Sequence, residues 1–410
     1  MDVWDAAREC MTRDELEQLQ LERLQATLNR VYRNVNFYKK SFDEIGFVPE
    51  ALDHLSSLAG LPFTTRGDLA AAYPYEMFAV PLREVVRVHA SSGTPEAPSV
   101  VGYTSNDLKH WSDLVARLLT AAGVTKEDVI QVAFSYGLPT GAFGLHYGAE
   151  RIGASVIPSS VGNTQRLDDM KIDAKTLTLK RGLFGGEPWK REVRGIIEEK
   201  LFVDAYDNYG LSEVMGPGIA AECRNKDGMH VYEDHFIPEI VDPDTGQVLS
   251  EGEVGELVLT TITKEAFPVI RFRTGDLTSL NDERCSCGRT FCRIAPISGR
   301  CDDIVIIKGI NVYPKTIGAI LSTVTGTEPV YQLAVGQTNH QDYLEIRIEV
   351  SEGFFFDKME KQRTLVERLQ KKIRDIVGLT GHIVLVEKGS ISRGAETSPM
   401  VVDMRKQTKP

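Results

Sequence analysis

Short apolar runs alternating with stretches of helical periodicity constrain this chain more than any other feature. Residues 85–88, 129–134, 154–157 and 179–184 read as strands, and residues 105–122 and 141–152 between them read as helices. Parallel strands need a crossover to return to the same edge, and a helix is the usual one. The alternation therefore predicts a parallel sheet covered on both faces. From about Met229 the texture changes to short strands and turns, with residues 239–242, the turn Pro243-Asp244-Thr245-Gly246, and residues 255–261. That pattern suits an antiparallel sheet or small barrel. After Asp302 a strand, a helix, two alternating strands, an amphipathic helix and a last strand follow in order, an α+β set of domain size. The expected fold class is α/β: a large N-terminal domain, residues 1–301, with parallel sheets plus a small β-barrel-like part, and a smaller α+β C-terminal domain, residues 302–410.

The start of the chain carries a helix signal. Thr12-Arg13-Asp14-Glu15 has the form of a capping box, and Leu16, Leu19, Leu24, Leu28 and Val31 follow at helical spacing. A formal net charge of -11 argues against nucleic acid or an anionic membrane as the main partner. No apolar run approaches the roughly 18 residues that span a bilayer. Met1-Asp2-Val3-Trp4-Asp5 lacks the basic and apolar regions of a secretory signal, so a cytoplasmic location is expected.

Two local patterns point to chemistry. Ser91-Ser92-Gly93-Thr94 follows an apolar strand, and hydroxyls with exposed backbone N–H groups suit a nucleotide's phosphates. Alone, the tetrapeptide is equally ordinary turn chemistry. Cysteines 223, 285, 287, 292 and 301 fall in one stretch while Cys10 stands apart. In a reducing compartment such clustering points to metal binding sooner than to cross-linking.

Further along, Tyr209-Gly210-Leu211-Ser212-Glu213, Arg273-Thr274-Gly275-Asp276, Gly299-Arg300-Cys301-Asp302-Asp303 and Gly309-Ile310-Asn311-Val312-Tyr313-Pro314 occur in order after the Ser91–Thr94 turn. With Leu61-Pro62-Phe63-Thr64-Thr65, residues 144–150 and Asp234-His235-Phe236, they make the chain resemble the phenylacetate–CoA ligase branch of the AMP-forming adenylating enzymes. The resemblance covers nearly the whole chain. It implies a two-step reaction in which a carboxylate attacks the α-phosphate of ATP and the thiol of CoA then displaces AMP. A small C-terminal domain rotates between the steps.

The resemblance also implies residue roles. Ser91, Ser92, Gly93, Thr94, Gly186, Glu187, Pro188, Asp207, Tyr209 and Gly210 would bind nucleotide, with the Tyr209 ring near the adenine. Ser212 would face the phosphates and Glu213 would hold Mg²⁺, which requires hard oxygen ligands. Asp276 would accept from both ribose hydroxyls, Arg300 would contact the nucleotide, and Asp302 would be the hinge pivot. Tyr136, Gly137, Phe143 and Gly186 would frame a flat aryl acid, although apolar residues after a strand also fill cores. Gly309, Asn311 and Tyr313 belong to the loop expected near CoA. Some relatives carry a structural zinc, for which Cys223, His230, Cys285 and Cys287 would make a closed Cys₃His set, with Cys292 or His235 as replacements for a member. A homodimer is expected by resemblance.

Three departures fall on ATP activation or acid binding. After Thr94 the family's Thr, Gly and Lys positions read Pro95, Glu96 and Ala97, which removes a donor and a cation and adds a negative charge. The lysine that bridges carboxylate and α-phosphate falls at Thr397. Between Asn163 and Leu183 the chain is shorter than the family by roughly two dozen residues. Three readings follow. The chain is an AMP-forming acid–CoA ligase for an aryl or arylacetic acid with an impaired or altered adenylation step. Alternatively it is a non-adenylating relative that binds AMP, adenylate or acyl-CoA and transfers acyl groups, or a pseudoenzyme that pairs with an active paralogue.

Overall fold

The computed structural model describes residues 2–90, 99–137, 140–160, 176, 178–186, 189, 191–301, 305–308, 310–312, 314–325, 330–338, 341–350, 359–391 and 401–406. Cα packing divides the chain into two units, residues 1–91 with 99–301, and residues 92–98 with 302–410. No helix among the described residues is long and apolar enough to cross a membrane.

In the first unit the helix Arg13–Asn34 begins as its sequence predicts. The Thr12 hydroxyl accepts from the Glu15 N–H while the Glu15 carboxylate accepts from the Thr12 N–H, so two orphan donors are satisfied at once. Its apolar stripe, Leu16, Leu24, Leu28 and Val31, is fully buried. Thr104 and Asp107 make the same reciprocal cap on the helix Ser105–Ala121, whose Trp111, Leu114, Val115 and Leu118 enter the main core.

Two sheets position the site. One has six strands and contains Asp204–Leu211, Gly216–Glu222, Met229–Val231 and, at its edge, Arg181–Gly185. The other has four and contains Phe236–Val241, Gly255–Thr261, Phe272–Thr278 and Gly299–Arg300. Parallel pairing is local in this unit. Among the described residues it joins Val129–Gln131 to Ser155–Ile157 and Arg181–Gly185 to Asp204–Leu211, with a single parallel bridge from Thr64 to Phe272, while the other strand pairs of both sheets run antiparallel. Short connections join Asp204–Leu211 to Gly216–Glu222 and Gly216–Glu222 to Met229–Val231, and a hairpin can only reverse direction.

The expected first strand lies two residues later than the apolar run suggests. Leu82–Glu84 form a 3₁₀ turn and the strand is Arg87–Ala90, paired antiparallel with Val100–Tyr103. Pro81 presets the backbone for that turn.

The second unit has a four-stranded sheet ordered His382–Glu387, Gln341–Val350, Tyr331–Thr338, Val401–Asp403, and a separate hairpin of Val305–Ile307 with Ile310–Val312. The helices Pro314–Thr325 and Met359–Val377 bring Ile317, Leu321, Leu369 and Ile373 onto Leu333, Val335 and Ile346. This is an independent core, as an autonomous domain requires.

Candidate functional site

Phe272–Thr278 and Gly299–Arg300 pair antiparallel with Asp276 directly opposite Arg300. That register sets the guanidinium against the carboxylate: Arg300 Nη1 pairs with Asp276 Oδ1, and Nη2 donates to the Thr274 carbonyl at 2.9 Å. From the other sheet, the Tyr209 hydroxyl donates to Asp276 Oδ2 at 2.6 Å. Burial, with the Asp276 charge adding to it, holds the Tyr209 phenol well above its ordinary range, so it stays a donor. Resemblance assigns both Asp276 oxygens to ribose. Each already has a protein donor, and a carboxylate's roughly four lone-pair sites leave each oxygen able to accept again.

Ser212 and Glu213 sit on the turn that joins strand Asp204–Leu211 to Gly216–Glu222. The turn is closed by the Val214 and Met215 N–H groups, which donate to the Leu211 carbonyl at 3.2 and 3.0 Å. Gly210 makes the hairpin possible, since a Cβ there would lie 2.2 Å from the Gly216 carbonyl oxygen. The Ser212 hydroxyl is 3.1 Å from that of Thr140, the residue before helix Gly141–Ile152. Glu213 is buried, with Arg66 Nε 3.6 Å from its carboxylate. Arg66 in turn lies over the Phe272 ring, 5.9 Å from its centroid. Asp207 is partly buried, and desolvation pushes its carboxyl up to about 6.

Of the residues assigned to the acid, Tyr136 and Phe143 meet edge to face with centroids 5.4 Å apart. The Tyr136 hydroxyl lies 3.1 Å from His146 Nδ1, and the Arg87 guanidinium covers the Phe143 ring at 5.4 Å. Gly137 precedes this helix in the loop. Gly186, at the end of strand Arg181–Gly185, has φ +85° and would meet nothing within 4 Å if it carried a Cβ, so space is open beside it.

Cys223, His230, Cys285 and Cys287 converge, with their ligand atoms within 4.8 Å of one another. Cys223 and Cys285 Sγ are 3.7 Å apart, and Cys287 Sγ is 3.5 Å from His230 Nε2. Two sulfurs each about 2.3 Å from a tetrahedral zinc would be separated by ~3.8 Å. His230 Nδ1 lies 3.2 Å from the Phe291 carbonyl, which can only accept. Nδ1 therefore carries the proton and Nε2 is left with its lone pair toward the thiols. The hydrogen bond from Cys223 lowers the Cys287 thiol below its ordinary range and raises that of Cys223. The donor chemistry and spacing fit a closed structural zinc.

Cys292 and His235, the expected alternates, are elsewhere. The Cys292 N–H donates to Glu233 and its thiol is buried and pushed up by desolvation, while His235 Nδ1 faces the Thr263 hydroxyl at 2.7 Å. Local spacing leaves these residues as replacements; in the fold it is His230 whose Nε2 reaches Cys287 Sγ, at 3.5 Å.

Ser91, Ser92, Gly93, Thr94, Glu187, Pro188, Asp302, Gly309 and Tyr313 lie outside the described residues, as do Pro95, Glu96, Ala97 and Thr397. Asn311 is in the strand Ile310–Val312 of the second unit. Arg66, Thr140 and Arg87 are neighbours of the site that motif reading misses. Their partners are far away in sequence, so no local pattern marks them.

The profile of the AMP-binding enzyme C-terminal domain matches residues 309–405. A phenylacetate-coenzyme A ligase of Escherichia coli is 43% identical over 96% of this chain and 95% of its own length. One from Thermus thermophilus is 42% identical over 97% and 98%. Among solved structures, a 2-hydroxyisobutyryl-CoA ligase in complex with 2-HIB-AMP and CoA matches with a TM-score of 0.91 at 28% identity, covering 99% of this chain and 93% of that one.

Proposed function

The chain belongs to the phenylacetate–coenzyme A ligase family, and on that premise we propose that it joins an aryl or arylacetic acid to CoA while ATP is cleaved to AMP and diphosphate. The observation that carries this reading is the meeting of Tyr209, Asp276 and Arg300 at one carboxylate across two sheets.

Asp276 supplies the acceptor for the ribose hydroxyls, held in place by Tyr209 and Arg300. Ser212, on its turn, donates to the phosphate at which the acid attacks. Asp207, Gly210 and Gly186 complete the described nucleotide wall. Tyr136 and Phe143, set edge to face, offer two ring surfaces to an aryl group. Mg²⁺, when bound, would neutralise phosphate charge, and Glu213 is the carboxylate that would hold it, leaving its other positions to phosphate and water. Zinc at Cys223, His230, Cys285 and Cys287 would be architectural, since four protein ligands leave no position open for water. Residues 302–410 are the domain expected to turn about Asp302, bringing Gly309, Asn311 and Tyr313 to CoA. A homodimer is the expected assembly, and sedimentation would report it.

Glu96, Ala97 and Thr397 alter the adenylation step. Removing a preorganised charge from a transition state slows it on the order of a hundredfold or more. The test incubates the protein with ATP, Mg²⁺ and a panel of aryl acids, with and without CoA. AMP release with acyl-CoA formation is expected. No AMP release, with AMP or CoA still binding by calorimetry, would replace the ligase with an acyl-transfer relative. No binding of either would leave a partner of an active paralogue.

A further inference from the structure

The guanidinium of Arg289 lies between the cysteine–histidine cluster and the start of the chain. Its Nη1 donates to Cys287 Sγ at 3.7 Å, its Nε to Glu9 Oε2 at 2.7 Å and its Nη2 to the Asp2 carbonyl at 2.7 Å. Arg289 and Glu9 are 2% and 0% exposed. The other Glu9 oxygen accepts the Trp4 and Asp5 N–H groups at 2.9 and 2.8 Å, so this carboxylate also folds the first turn of the chain.

Neighbouring residues repeat the pattern. The Thr290 N–H donates to the Glu9 carbonyl at 3.1 Å and its hydroxyl to the Met11 carbonyl at 2.6 Å. Arg224, next to Cys223, pairs with Asp2 at 2.6 Å. Both cysteine-bearing segments thus grip residues 2–11, across more than 200 residues of sequence.

Three thiolates and a neutral imidazole around a divalent ion leave one net negative charge, and without the ion the thiolates repel one another. A cationic N–H donor on one sulfur favours the thiolate state that a metal requires. Glu9 fixes where that donor points. We propose that Arg289 is a positioning residue that couples metal binding at Cys223, His230, Cys285 and Cys287 to docking of the N-terminal segment, residues 2–12. The inference rests on the zinc reading above. Coupling of this kind is reciprocal: if the docked segment raises metal affinity, the metal holds the segment down by the same factor.

The test uses the full chain with its zinc content measured. Zinc release to a chromophoric chelator is timed, and trypsin cleavage after Arg8 and Arg13 is followed with and without chelator. Outer-shell substitutions typically cost about 10–100-fold in metal affinity, so Arg289→Met should release zinc faster by about that factor. Chelated wild type should be cut at these arginines on the order of tenfold faster than the zinc-loaded chain, with cleavage in the second unit unchanged. Glu9→Gln keeps the side-chain size and leaves Arg289 in place; it should speed both processes, and it carries the test if Arg289→Met does not fold. Equal zinc release from wild type and variants, or cleavage indifferent to chelation, would overturn the coupling while leaving the zinc site standing. A chain that neither holds nor takes up zinc would overturn both.

Discussion

Tyr209 and Asp276 come from different sheets, yet the phenol donates to the carboxylate at 2.6 Å, and Arg300 holds the other oxygen from the neighbouring strand. A single anion thereby links the six-stranded and four-stranded sheets at the place where the nucleotide is proposed to bind. The carboxylate is oriented before any ligand arrives, which lowers the cost of ordering on binding.

Substituting either partner separates orientation from charge. Tyr209→Phe removes one hydrogen bond to an anion and should weaken AMP binding about tenfold, or ~1.4 kcal/mol by calorimetry. Asp276→Asn leaves the Arg300 charge without its partner and should cost about 3–5 kcal/mol of stability in chemical denaturation, besides weakening AMP binding further. Equal AMP affinity in both variants and the wild type would remove this cluster from the nucleotide site.

Gly210→Ala puts a methyl group 2.2 Å from the Gly216 carbonyl oxygen, where the obstacle is backbone. The hairpin must open, and a cost of about 1–3 kcal/mol is expected. Because Ser212 and Glu213 ride on this turn, activity should fall more than stability does. Thermal melting and AMP release measured on one sample check the two effects together.

Lys264 is 1% exposed, with Nζ 3.2 Å from the Tyr103 ring centroid and 3.8 Å from Met215 Sδ. Burial pushes this lysine down to about 7, against an ordinary value of 10.5. The sign follows from proton counting. Between pH 7 and 10.5 the unfolded chain holds a proton that the folded one has released, so stability rises with pH across that window, by at most about 1.4 kcal/mol per unit. Lys264→Met should flatten the slope of stability between pH 7 and 9 measured by urea denaturation. An unchanged slope would show that the charge is solvated in the folded state.

Thr397→Lys combined with Glu96→Gly restores a cation and removes a like charge. Diphosphate exchange should rise on the order of a hundredfold. If it does not, the shortened segment between Asn163 and Leu183 is the limiting departure.

The metal cluster and the clamp at Asp276 divide legibility between them. Tyr209–Glu213, Arg273–Asp276 and Gly299–Asp302 could be read as strings because their members are adjacent along the chain, and adjacency survives without a fold. The Thr12 cap was equally legible, since a cap closes within four residues. The resemblance puts His230 first in the set with His235 as a replacement, but spacing alone does not separate them, since both lie in one short stretch; the distance of His230 Nε2 to Cys287 does.

By itself, the sequence determined the family and many local elements, such as the helix capped by Thr12, which are set by interactions a few residues long. It also revealed the changes at Glu96, Ala97 and Thr397, which are matters of residue identity. Tertiary structure decided which groups share a charge: Arg66 with Glu213, Tyr209 with Asp276, Arg289 with both Glu9 and Cys287. Those pairs span from 67 to 280 residues, except Arg289 with Cys287, whose geometry is set by Glu9 from the far end of the chain. Electrostatics acts through space and depends on burial, and neither distance nor burial exists until the sheets have packed.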